Sequence, residues 1–143
     1  MSCIFFCHYL INKEPQMKIT FEGNKKVRVR IKDFDVWTDQ SKEHGGDGSA
    51  PTPIDLFLSS LGSCSGVFVL NFLKQHSLPE NVYLTLDPVW NINDYVIEKI
   101  KVSIHIPADF PAKYENALIE VAKRCLVARH VKIEHEISVV REA

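Results

Sequence analysis

A chain of 143 residues with 17 basic and 18 acidic side chains, a formal charge of −1, suits one domain that buries its core without metals or disulfides. No dense Lys/Arg cluster coincides with aromatic residues, which argues against DNA or RNA partners, and the apolar run Cys3–Ile11 holds His8, lacks a basic leader and is too short to cross a bilayer, so neither membrane nor export is expected. The 4 cysteines have no regular spacing, unlike a secreted disulfide framework, and point to a reducing cytoplasm.

Residues 1–16 are unlike the rest of the chain and read as an N-terminal extension, non-native or disordered, on which no function is built at Cys3 or Cys7; residues 17–143 read as the single domain. Three short strands are predicted at Lys18–Glu22, Lys25–Ile31 and Phe34–Thr38, because Val27, Val29 and Ile31 alternate with Lys26, Arg28 and Arg30. Gly23-Asn24 and Lys32-Asp33 supply their turns. The segment Asp39–Ala50, rich in Gly, Ser and charge, is a loop feeding a long helix from Pro53 to His76, with Thr52 as N-cap and Pro53 at the first helical position. Strands come next at Val82–Trp90 and Val96–Ile106, joined by the hairpin loop Asn91–Tyr95, then a second helix at Ala112–Val127 and a last strand at Lys132–Val140. The order β-β-β-α-β-β-α-β is an α+β plan, two helices packed on a mostly antiparallel sheet.

The long helix carries Ile54, Phe57, Leu58, Leu61, Phe68, Val69 and Phe72 at three- and four-residue spacing, and Cys64 falls in that series, so its thiol is expected to point inward. Around it stand Ser59, Ser60, Gly62, Ser63, Ser65 and Gly66; each helical Gly costs roughly 1 kcal/mol against Ala, so the small residues serve a close helix approach, room for a substrate, or both. Cys125 shares a stripe with Tyr114, Leu118 and Val121 on the second helix. A free Cys is most often an inert core residue; the small, hydroxyl-rich surroundings of Cys64 favour an accessible thiol instead. Asp55 suits the first-turn helix dipole better than catalysis. His44 lies in the loop before Gly45-Gly46, where histidines are ordinarily solvated; no HxxH or CxxC spacing suggests a metal, and His105, His130 and His135 have only position to recommend them.

The passage HGGDGSAPTPIDLFLSSLGSC, with AKRCLVARHV far downstream, closely resembles the OsmC/Ohr superfamily of stress-induced proteins. Its pattern is a Gly-rich approach, an x-Pro-x-(Asp/Glu)-Leu helix start, a Cys eleven residues after that Pro, here Pro53 and Cys64, and a second Cys on a late helix, here Cys125. The resemblance covers nearly everything from Met17 on. It implies a thiol-dependent peroxidase for organic hydroperoxides in oxidative-stress defence, an intertwined homodimer with the long helix at its centre, no metal or other cofactor, and an external dithiol as reductant. Cys64 would become a sulfenic acid that Cys125 resolves as a disulfide.

The chain departs from hydroperoxide-reducing members at Ile54, where they carry a catalytic Glu, and has its acid one step later at Asp55, as in the OsmC-like subgroup. Their early Arg has no clean counterpart; the cations that could assist the Cys64 thiolate are Arg28, Arg30, Lys25 and Lys26 of the strands, which are favoured, or Arg124 and Arg129 near Cys125. The alternatives are a dimer of the same family binding a small hydrophobic ligand without peroxidase turnover, and a structural dimer with core cysteines.

Overall fold

Two alternating runs separated by a long helical pattern set the architecture. The computed structural model describes residues 17–131 and 134–142; Cys3 and Cys7 of the extension lie outside them, as do Lys132 and Ile133 at the start of the expected last strand. The chain divides into two compact units between Leu56 and Phe57.

In the first unit β1 (Lys18–Phe21), β2 (Val27–Ile31) and β3 (Phe34–Thr38) form an antiparallel sheet in that order. Its register sets Ile19 and Val36 across from Val29 on one face, and Thr20 and Trp37 across from Arg28 on the other. The turns require left-handed backbone at Gly23 (φ 91°), Asn24 (φ 44°) and Lys32 (φ 54°), which the first two tolerate readily and a lysine does not.

Helix α1 (Pro53–Gln75) ends one residue before the expected limit. Its start is a reciprocal cap: the Asp55 N–H donates to Thr52 Oγ1 (3.3 Å), while the Thr52 N–H and hydroxyl donate to Asp55 Oδ2 (2.9 and 2.7 Å). By length and composition α1 could also cross a membrane. Here its stripe Leu61, Ser65, Val69 and Leu73 is buried in the second unit.

In that unit β4 (Tyr83–Asn91) pairs antiparallel with β5 (Val96–Pro107), and β6 (Glu134–Glu142) runs parallel to β5. The parallel pair needs a crossover, supplied by helices α2 (Glu115–Ala122) and α3 (Leu126–Arg129). Ile100, Val102, Ile104 and Ile106 form the buried face of β5. Ile104 and Ile106 pack with Val69, Leu73, Phe110, Leu118 and Ala122, and Ile100 and Val102 with Leu61 and Cys125. Each such aliphatic side chain contributes roughly 1.5–3 kcal/mol. Arg141 of β6 ties this crossover down, donating to the carbonyls of Ala108 and Phe110 and pairing with Glu115. The result is a mixed α+β fold with two three-stranded sheets.

Gly62 admits the side chain of Leu86 from β4, 3.1 Å from where a Cβ would sit, and nothing lies within 4 Å of the corresponding point on Gly66. One expectation changes. The single helix expected at Ala112–Val127 is a 3-10 turn at Ala112–Tyr114 and then two helices, because residues 123–125 leave the helical path before Cys125, whose ψ is 117°.

Candidate functional site

The Gly-rich loop before α1 is organised by a carboxylate that no motif singles out. Asp39 is 0% exposed, with Oδ1 accepting from the Gln40 N–H (2.8 Å) and Oδ2 from the Asp47 and Ser49 N–H groups and the Ser49 hydroxyl (3.2, 2.9 and 2.9 Å). The Ser49 N–H above all holds its carboxyl below the ordinary value, against desolvation and with help from the Ser49 hydroxyl, Gln40 and Asp47. Gly46 is needed here by close approach, since a Cβ would lie 2.0 Å from the Gln40 carbonyl oxygen. His44 is exposed and its Nδ1 is bonded to Ser41 Oγ (2.8 Å). Asp55 is committed to the helix cap, and the Thr52 side chain, then its N–H, lowers its pKa. Arg28 pairs with Glu22 and Arg30 with Asp35, each at 3.1 Å within the first sheet.

The thiols come together in the second unit, where the helix break frees backbone donors. The Leu126 N–H donates to Cys64 Sγ (3.2 Å) and the Ala128 N–H to Cys125 Sγ (3.3 Å), so each sulfur takes an amide from the first turn of α3. Cys125 is 1% exposed and its thiol faces the Leu61 carbonyl at 3.7 Å, whereas Cys64 is half-buried. Burial, more than any neighbour, pushes the Cys125 thiol up from its ordinary value, and the nearby Cys64 adds to the rise. Cys125 also lines a cleft of about 280 Å³ with Leu61, Ser65, Ala122, Lys123 and Arg129. Apolar side chains, the buried Cys125 and two cations line a cleft with room for a small organic molecule.

The OsmC-like protein family model matches residues 46–140. The chain belongs to the OsmC-like family. Among curated relatives, this OsmC-like chain is 26% identical over 104 residues to an uncharacterised protein of Methanocaldococcus jannaschii, covering 68% of the chain and 55% of that protein, so it spans little more than half of that relative's length. Among solved structures it resembles a Psychrobacter arcticus protein named for osmotic-stress induction and a detoxification response (TM-score 0.76, 17% identity, 93% of this chain and 99% of that one). It also resembles organic hydroperoxide resistance proteins of Legionella pneumophila (0.61, 18% identity, 87% and 96%) and Elizabethkingia anophelis (0.62, 17%, 92% and 100%). At these identities the likeness is one of fold.

Of the residues singled out in this OsmC-like sequence, Cys64 and Cys125 meet, while Asp55 caps a helix and Arg28, Arg30 and His44 are engaged locally. Helical periodicity placed Cys64 inward, but the fully buried stripe runs one residue over, through Ser65. Ser65 lines the same cleft as Cys125, a proximity carried by no pattern in the chain. Asp39 was missed similarly; its one sequence signal is an Asp entering a Gly-rich turn.

Proposed function

We propose that the protein is a homodimeric, thiol-dependent peroxidase reducing organic hydroperoxides in a reducing cytoplasm, with Cys64 as nucleophile and Cys125 as resolving residue. The observation that carries this reading is the convergence of the two thiols on one short helix, whose first-turn amides donate to both sulfurs. The deprotonated Cys64 sulfur attacks the distal peroxide oxygen, the O–O bond breaks, the alkoxide takes a proton and leaves as alcohol, and Cys64 becomes a sulfenic acid. Half-buried, Cys64 can be reached, and the Leu126 N–H faces the charge its sulfur carries during attack. Cys125 then displaces the hydroxyl, water leaves and the disulfide forms; an external dithiol restores both thiols by exchange and is itself oxidised to a disulfide. Burial disfavours the Cys125 thiolate, which suits a resolving residue, while the half-buried Cys64 is the more accessible sulfur.

Thiols titrated before and after a small excess of an organic hydroperoxide should fall by two per chain. Cys64→Ser should abolish peroxide consumption, and Cys125→Ser should give one turnover and a sulfenic acid visible by mass. A Cys64→Ser variant that still consumes peroxide at the parent rate overturns the assignment. A second reading rests on the cleft beside Cys125: a dimer that binds a small hydrophobic ligand with its thiols kept reduced. It is favoured if no thiol is lost.

A further inference from the structure

The polar face of the first sheet breaks a pairing rule for which thiol chemistry gives no reason. Lys18 stands directly opposite Arg30 in the β1–β2 register, with Arg28 two residues along opposite Thr20. Like charges facing each other across an antiparallel pair weaken it, and such breaches gather at functional positions. Arg28 spends Nε on Thr20 Oγ1 (3.3 Å) and Glu22 (3.1 Å), and Arg30 spends one Nη on Asp35 (3.1 Å). The remaining guanidinium N–H groups and the Lys18 ammonium have no protein acceptor among the described residues. All three cations line one cleft of about 260 Å³, together with Thr20 and a single carboxylate, that of Asp35.

We infer that this cleft binds a phosphate monoester dianion, carried by a small metabolite or by a lipid headgroup. Three cations converge on this cleft against one lining carboxylate, Asp35, while Glu22 pairs with Arg28 from outside the lining, so the site favours an anion. Guanidinium edges offer paired N–H donors in the fork that phosphate oxygens accept, and the lysine adds a mobile point charge. The indole of Trp37 lies against Lys26 and Arg28, 5.1 and 5.5 Å from the ring centroid. It therefore backs the cations instead of offering a bare ring to a nucleobase, and its emission reports on Arg28.

The test uses the full chain with Trp90→Phe, which leaves Trp37 as the sole reporter of the two tryptophans. Inorganic phosphate and glycerol 3-phosphate are titrated against sodium chloride at constant ionic strength, and recovery is measured on phosphatidylcholine vesicles with and without phosphatidate. The expected result is a saturable emission change with phosphates alone, weakened at least about tenfold by Lys18→Ala and by Arg30→Gln, less by Arg30→Lys, and unaffected by Lys113→Ala. Each variant should remain folded, with Lys18→Ala melting no lower than the parent because it removes the facing like charge. A free-phosphate response without vesicle capture assigns a metabolite; capture that requires both phosphatidate and Lys18 assigns a headgroup. A response shared by chloride, one that survives Lys18→Ala, or silence from free phosphates with equal recovery on both vesicles overturns the site.

Discussion

At the scale of single residues, the fold controls the charge state of Cys125. Buried at 1% exposure, it is pushed above the ordinary thiol value, so the folded protein keeps a proton that the unfolded chain releases at alkaline pH. Between the two values the folded state binds more protons, and stability falls as pH rises. The contribution is complete below the unfolded thiol's range and disappears as pH climbs through the folded value. Melting temperature, tracked upward from neutral pH, should therefore begin to drop near pH 9.0, the ordinary thiol value, and the drop should be shallower in Cys125→Ala. Parallel curves for the two proteins would show that burial does not hold this proton. The same stabilised thiol form suits a resolving cysteine, which must not compete with Cys64 for the peroxide.

At the scale of elements, two helix starts do different work. That of α1 is closed by Thr52 and Asp55, each bonded to the other's backbone or side chain. Thr52→Ala should lower stability in urea by about 0.5–2 kcal/mol, the usual cost of a lost N-cap. Because the two residues share one set of bonds, adding Asp55→Ala should cost less than the sum of the single changes. Unchanged unfolding midpoints would remove the cap from the account. At α3 the cap is a cysteine sulfur, a weak acceptor, and the neighbouring amide goes to a second sulfur. Ser or Asp would cap more strongly, so sulfur at both places fits the proposed redox pair.

At the scale of the whole molecule, apolar surface remains uncovered. On α1, Ile54 (39%), Val67 (46%) and Leu70 (38%) are exposed, and on the first sheet Ile19 (61%), Phe21 (86%) and Phe34 (73%). A stable monomer seldom leaves so many large side chains in water, and the proposed homodimer would cover them. Sedimentation at micromolar concentration should show two chains, and Val67→Glu with Leu70→Glu should shift the population toward one chain without unfolding it. A folded parent protein that sediments as a monomer would remove the dimer.

The residues alone were enough for the order of strands and helices and the Pro53 helix start, because alternation, three- and four-residue spacing and capping chemistry are local properties of the chain. Periodicity extended the second helix through Cys125 as one stripe, since Leu118, Val121 and Cys125 keep helical spacing. Folding decided otherwise. The break after Ala122 frees the amides of Leu126 and Ala128, and only the packing of α1 against the crossover brings Cys64 to meet the first of them. Buried donors and acceptors must find partners wherever the chain next passes, and here those partners lie more than 60 residues apart, beyond the reach of any local pattern.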